Sequence, residues 1–442
     1  MSALNWLTAH EAAAGIREGL FCAEELALAC LEQIEEREGE VEAWTFLDPE
    51  HVLAQARRAD EQRATGFPTG PLHGVPVGIK DIIDTADMPT EDGTVLHAGR
   101  LPDSDATVVR LLRGAGAVIM GKTVTTELAT YSPGKTRNPH NPAHTPGGSS
   151  SGSAAAVASG MVPLALGTQT NGSLIRPAAY CGIFGFKPSH GWISRQGVLR
   201  QSPVLDHVGL FARTLQDIAL LGEQLVSFDE QDSDTRLRAK PPLQRVMMEE
   251  PPITPSLAFV KTPMWHETDA DTQAGFAELL EVLANRAEEF ELPPALANTL
   301  EWHRTLMEAD IAASFEREYQ HGKDRLSASL REQIERGGRI LAVDYQKALA
   351  GIPLVNAALN GLFDRFDAIL TPAVSGTAPL GLASTGNPMF CTLWTYCGMP
   401  AVSLPLLRGE NGLPIGVQLV GKRGDDARLL RTANWLMATL NA

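Results

Sequence analysis

No apolar run in this 442-residue sequence approaches the roughly 18 residues that a membrane helix needs. The opening residues, Met1-Ser2-Ala3-Leu4-Asn5-Trp6, lack the basic start and apolar stretch of a secretory signal. There is no basic tract, and the formal net charge is −16 at pH 7. That argues against direct binding of nucleic acid, which needs clustered Lys and Arg against phosphate. Cysteine is scarce: Cys22, Cys30, Cys181, Cys391 and Cys397 form an odd set without CxxC spacing. They read as reduced, mostly buried thiols rather than a disulfide framework. No HExxH motif or Cys/His cluster supports a metal site, and no GxxxxGK[ST] loop is present to hold a nucleotide phosphate. No GxSxG elbow serves the eleven histidines, although His190, His207 and Asp206 lie close together in sequence. The expectation is a cytoplasmic protein without cofactor or metal. Its expected partner is a small molecule, not a nucleic acid or a membrane.

Hydrophobic residues make up 44% of the chain, enough for a large core, and 40 glycines with 29 prolines fit the many tight loops of an α/β enzyme. The most informative stretch runs from Gly147 to His190. It holds Ser149 in Gly147-Gly148-Ser149-Ser150-Ser151-Gly152 and Ser173 in Thr170-Asn171-Gly172-Ser173, 24 residues later. Between them, Ala154 to Ser159 reads as a buried helix and Val162 to Leu166 as a short buried strand. Turn, helix, strand and turn can return both serines to one place. Upstream, Gly74-Val75-Pro76-Val77-Gly78-Ile79-Lys80 puts a lysine at the end of another apolar strand. A serine nucleophile needs a base, and Lys80 with a second serine offers one, provided burial keeps the amine neutral.

The lysine strand, the Gly-Gly-Ser-Ser loop and the second serine turn together resemble the amidase signature family. Leu205-Asp206-His207-Val208-Gly209, Asp367 to Pro372, Gly398-Met399-Pro400 and Gly412 to Gly421 extend the resemblance over most of the chain. It implies an α/β fold with a central mixed twisted sheet of about eleven strands, covered by helices on both faces. It also implies a Ser-cisSer-Lys triad: Ser173 as nucleophile, Ser149 after a cis peptide as proton shuttle, and Lys80 as base. The backbone N–H groups of Thr170, Asn171, Gly172 and Ser173 would form the oxyanion hole, and Ser150 would support Lys80 by hydrogen bonding. Two departures stand out. Gln169 and Asn171 replace the usual Asp and Gly of the nucleophile turn, and Arg176 stands three residues after the serine, where many members have arginine two after.

The chain reads as a single domain over 1–442. N-terminal helices fill 1–66, a catalytic core spans 67–230 and 367–442, and a helical lobe occupies 265–366. Gln231 to Pro255, charged and carrying two proline pairs, is the one candidate linker. Asp271 to Phe290 reads as helix. In catalytic relatives the N-terminal helices often contribute to dimerisation, so a homodimer is one expected state. Pocket walls are expected from Thr125 to Tyr131, from the lobe, and from Phe390 to Met399, residues that read equally as core, with Tyr131, Trp394 and Arg176 as substrate-binding candidates. Arg176 has two readings: a brace paired with a buried acid such as Asp206, or a cation facing substrate.

The leading function is hydrolysis of a linear C–N amide bond of a small molecule through a serine acyl-enzyme. A narrower variant acts on carbamates or urea-like bonds. A second class is an amidotransferase component similar to the A subunit of the glutamyl-tRNA(Gln) complex, which needs partner subunits. A third is a non-catalytic binding protein on the same fold, which the joint presence of one lysine and two serines in these motifs disfavours.

Overall fold

A computed structural model describes residues 4–440. Its centre is a mixed sheet of eleven strands in the order β1-β3-β2-β4-β6-β5-β10-β11-β9-β7-β8. The first half of the chain supplies β1 (Trp44–Leu47), β2 (Pro76–Lys80), β3 (Val118–Thr123), β4 (Leu164–Gln169), β5 (Phe184–Lys187) and β6 (His207–Ala212). The second half supplies β7 (Leu257–Phe259), β8 (Ala287–Glu289), β9 (Ala368–Pro372), β10 (Ala401–Arg408) and β11 (Pro414–Val420). Every residue of β2, β3, β4, β5, β6, β9 and β11 is buried. Near-continuous apolar runs such as Leu164-Ala165-Leu166 are what a sheet covered on both faces requires.

The neighbours β3, β2 and β4 are mutually parallel. Between β3 and β4 the chain crosses over through the helix Ser151–Ala158, so the carboxyl ends of three parallel strands share one edge. In open α/β sheets that edge is where ligand sites form. The register places Lys80 opposite Thr123, and Ile79 opposite Leu166. Continued by one residue, that register sets Lys80 beside Gly167, next to Thr168 near the end of β4.

The crossover helix is buried along almost its whole length and consists of Ser, Gly, Ala and Val. Small side chains let it lie close to the sheet. A Cβ on Gly152 would stand 2.2 Å from the carbonyl oxygen of Ala43 and 2.4 Å from the Val124 nitrogen. The polar members are satisfied locally, with Ser153 donating to the Leu166 carbonyl at 2.7 Å.

Three expectations need correction. The N-terminal block is not helical throughout, because Trp44–Leu47 forms the edge strand β1, antiparallel to β3. The helix expected over 271–290 stops at Leu283. Ala284 there takes φ +49°, and Ala287–Glu289 joins the opposite edge of the sheet beside β7. Glu288 and Glu289 gave no apolar alternation to reveal it. The segment from Gln231 to Pro255 is packed rather than a free linker. Arg195 pairs with Asp232 at 2.7 Å, and the helix Leu243–Met248 buries Leu243 and Met247. The block after β7 is otherwise helical, with Thr299–Ser314, Ala328–Gly337 and Ala342–Asn360 as its main helices. Among the described residues, no helix is long and apolar enough to cross a membrane.

Close packing at Gly152 gives a paired prediction. Gly152→Ala forces a methyl into backbone and lowers the melting temperature, on the order of 1–3 kcal/mol of overpacking or more. Gly39→Ala, in the helix Ala23–Val41 with open space around it, leaves stability unchanged or raises it by about 0.5–1 kcal/mol. Thermal unfolding of both variants beside wild type checks the contrast.

Candidate active site

Lys80 is fully buried at the end of β2. Its Nζ donates to Ser149 Oγ and to Thr168 Oγ1, each at 2.7 Å. Burial drives its pKa well below that of an ordinary lysine, and the nearby Asp206 carboxylate only partly opposes that effect. The partners are neutral hydroxyls, which leave an uncharged amine free to offer its lone pair to the Ser149 hydroxyl.

Burial alone does not single Lys80 out, because Lys122 and Lys187 are buried too. Burial lowers them to about 8 and about 7 respectively. Lys122, however, donates to the Ile83 carbonyl and lies 3.5 Å from Asp81, and Lys187 donates to the carbonyls of Pro188 and Met399. Those two amines tie backbone together. Lys80 touches a serine on a glycine-rich turn.

That turn carries a cis peptide between Gly148 and Ser149. The Gly148 carbonyl accepts from Arg176 Nη2 at 2.6 Å, and the Ser149 carbonyl accepts from Thr126 N–H at 3.3 Å. Ser150 N–H donates to the Ser173 carbonyl at 3.2 Å, which joins the two serine turns directly. Ser149 is buried, whereas Ser173 is only partly buried among fully buried neighbours.

The second turn is held by side chains. Gln169 Oε1 accepts from the N–H groups of Leu174 and Ile175 at 2.9 and 3.0 Å, capping the helix Ile175–Cys181, while its amide donates to Thr395. Thr395 Oγ1 in turn donates to the Asn171 carbonyl at 2.6 Å. The Thr170 hydroxyl bonds Gln201 and Asp206, and the Thr170 carbonyl accepts from His303 Nε2 at 2.9 Å. The Asn171 amide donates to the Tyr131 hydroxyl at 3.1 Å, and its carbonyl oxygen accepts from Thr392. Among the described residues, the backbone N–H groups of Asn171, Gly172 and Ser173 have no acceptor. All three sit on the turn that carries the partly exposed Ser173.

Several expectations change here. Ser150 does not bond Lys80; its Oγ donates to the Thr168 carbonyl and accepts from Thr168 N–H, both at 3.1 Å. The hydroxyl beside Lys80 belongs to Thr168, which sequence reading missed although it opens the Thr-Gln-Thr run. Trp394 is fully buried in the helix Met389–Tyr396 and reaches no cavity surface, so it is a core residue. Met389 and Thr392 are the members of that helix that meet the cavity. Arg176 does not pair with Asp206, whose carboxylate is occupied by Thr170, Gln201 and Ser202. Tyr131 lines a cavity of about 360 Å³ with Asn171, His303, Met307, Gln333 and Thr392, between the Ser173 turn and the lobe. His207 and His190 pack edge to face at 5.1 Å, and His207 Nδ1 donates to the Leu205 carbonyl. Neither bonds a serine of the two turns. Among the described residues, no group of three His, Cys, Asp or Glu could hold a metal ion.

The family model described as Amidase matches residues 25–430. The chain is 32% identical over 471 aligned residues to the A subunit of a glutamyl-tRNA(Gln) amidotransferase from Lachnospira eligens, covering 98% of this chain and 97% of that one. The native peptide amidase from Stenotrophomonas maltophilia superposes with a TM-score of 0.87 at 26% identity, covering 99% of this chain and 97% of that one. A vestigial protein complex that bears on the origins of an s-triazine catabolic enzyme contains a chain with a TM-score of 0.92 at 25% identity, each chain covered to 98%.

The Gln169 cap is open to test. Gln169→Leu leaves the buried N–H groups of Leu174 and Ile175 without their acceptor, at about 1–3 kcal/mol for each orphaned group. A clear fall in melting temperature is expected, whereas Gln231→Leu on the exposed surface leaves it unchanged.

Proposed function

This chain belongs to the amidase family, and from that premise we propose that it cleaves linear amide C–N bonds through an acyl-enzyme on Ser173. The observation that carries the reading is the buried Lys80 amine bonded to Ser149, with the Ser149 turn tied to the Ser173 backbone. Ser173 Oγ attacks the substrate carbonyl carbon. Its proton passes to Ser149 Oγ, and the Ser149 proton passes to the neutral Lys80 amine. The carbonyl oxygen gains negative charge and takes the free N–H donors of Asn171, Gly172 and Ser173, joined in our reading by that of Thr170. As the C–N bond breaks, the leaving nitrogen takes a proton back through Ser149. Water then attacks the acyl-enzyme along the same relay and frees Ser173. No cofactor is required by this sequence, and the same acyl chemistry extends to carbamate and urea-like bonds.

A second reading places this chemistry in an amidotransferase, with glutamine as the amide and ammonia passed to an acceptor on partner subunits. The sequence relatives favour it over a free hydrolase: the Lachnospira eligens protein and a 34% identical protein from Symbiobacterium thermophilum are both named as the A subunit of glutamyl-tRNA(Gln) amidotransferase. Both readings use the same serine and the same base. They divide on partners. Ammonia released from glutamine only when partner subunits are added supports the amidotransferase. Turnover of small amides by the purified chain alone supports the hydrolase.

Ser173→Ala should abolish turnover and covalent labelling by a fluorophosphonate while the fold survives. Lys80→Ala and Ser149→Ala should each reduce kcat at least ~10²-fold, the lower range for lost acid–base assistance. The pH profile has a definite sign. Lys80 acts only when deprotonated, so activity rises with pH through its lowered pKa, below the ordinary lysine value of ~10.4, and is lost in acid. An unchanged ascending limb in Lys80→Ala means that another group is the base.

A further inference from the structure

Arg176 is a buried cation without a counter-ion. It lies one turn past Ser173 in the helix Ile175–Cys181, and its side chain is 2% exposed. Nη2 donates to the Gly148 carbonyl at 2.6 Å and to Thr385 Oγ1 at 3.0 Å. Nε and Nη1 have no acceptor among the described residues. The ionisable groups closest in effect are Tyr180, Cys391 and Tyr131. Burial pushes both Tyr180 and Cys391 up to about 12, so neither supplies an anion near neutral pH. Bracing the Gly148 carbonyl uses one nitrogen of the fork. It leaves unexplained a guanidinium that keeps two desolvated donors empty, which proteins rarely tolerate.

Arg176 itself is not among the residues that line the cavity, but the segment it bonds leads there. Thr385 is the one buried residue of an otherwise exposed or half-exposed stretch from Gly381 to Asn387, and its hydroxyl is the neutral oxygen that now meets Arg176. Asn387, Pro388 and Met389, which follow it directly, line the cavity beside Asn171 and the nucleophile turn. The planar fork of an arginine matches the two oxygens of a carboxylate. Of the arginines that line the cavity itself, Arg336 is paired with Glu308 at 2.8 Å and Arg304 is exposed, whereas Arg176 is buried beside the serine turn.

We propose that Arg176 binds a carboxylate carried by the substrate, so that this enzyme takes anionic amides. The proposal rests on the reading of Ser173 as nucleophile, because it places the carboxylate within the reach of one small substrate. The carboxylate occupies the empty Nε and Nη1 edge and competes with the Thr385 hydroxyl, while Nη2 keeps the Gly148 carbonyl. Arg176 is thus a specificity-determining residue.

The test is the rate at which a fluorophosphonate labels Ser173, in competition with acetate, malonate, succinate, glutarate and succinamate, against neutral succinamide and glutaramide. In the wild type, at least one carboxylate is expected to protect about tenfold or more better than its carboxamide counterpart, the lower range for one charge-assisted contact. In Arg176→Gln and Arg176→Met that preference should fall to within about twofold, and in Thr385→Val, which keeps the guanidinium, it should persist. Equal protection by carboxylates and carboxamides in the wild type overturns the proposal, as does a preference that survives loss of Arg176. If the arginine variants do not fold, Arg304→Gln and Arg336→Gln, which remove the arginines that line the cavity, decide: a preference that persists in both supports Arg176, and its loss in either overturns the proposal. If Ser173 is not labelled at all, the nucleophile reading falls. The arginine is then judged by thermal shift: stabilisation by a carboxylate but not its carboxamide supports it, and no difference refutes it.

Discussion

A lysine amine taken fully out of water and given only hydroxyl oxygens to bond sets the terms for the rest of this molecule. Two effects act on Lys80 in opposite directions. Desolvation penalises the ammonium, and the buried Asp206 carboxylate favours it. Desolvation is the larger, because Asp206 lies beyond hydrogen-bond contact and is itself held by Thr170, Gln201 and Ser202. Burial pushes the Asp206 carboxyl up to about 6, which weakens its claim on the amine further in mild acid. Fully buried lysines shift by up to ~3–5 units on these grounds. The outcome is an amine biased toward its uncharged form inside the sheet, as the proposed base must be.

Such a base works only if a hydroxyl stands against it, and much of the architecture serves that juxtaposition. Parallel β2 and β4 bring Lys80 within reach of Thr168. The crossover helix starts immediately after Ser149 and is made of residues small enough to lie on β3, where Gly152 meets the backbone of Ala43 and Val124. The Ser150 N–H bond to the Ser173 carbonyl ties the first turn to the second. Gln169 holds the second turn by accepting from the two N–H groups that open the next helix. A neutral amide can fill that place because both contacts are acceptor contacts, and its spare donor finds Thr395. The lobe contributes at a distance, with His303 fixing the Thr170 carbonyl.

The strands and helices that carry Lys80, Ser149 and Ser173 were legible in the sequence because each is marked by apolar runs bounded by glycine. The apolar run from Ala368 to Pro372 was likewise legible as a strand. What escaped the sequence depends on contacts between distant segments. Thr168 acquires its place beside Lys80 only through the β2–β4 register. Trp394 was read as a pocket wall because an aromatic cluster in sequence does not say which face of its helix is buried. The short edge strand Ala287–Glu289 has no periodicity of its own and exists through pairing with β7. The missing partner of Arg176 could not be foreseen either, since Asp206 is near in sequence yet is spent on other donors.

The state of the Lys80 amine is the central claim, and it can be measured without any substrate. Protein labelled with ¹³C at the lysine ε carbon gives one titrating signal per lysine, and Lys80→Arg identifies the signal that disappears. The account predicts that the Lys80 signal has an inflection well below ~10.4, or stays neutral throughout the stable pH range, while surface lysines titrate normally. A Lys80 signal that titrates with the surface lysines would contradict it, because a protonated lysine cannot accept the serine proton.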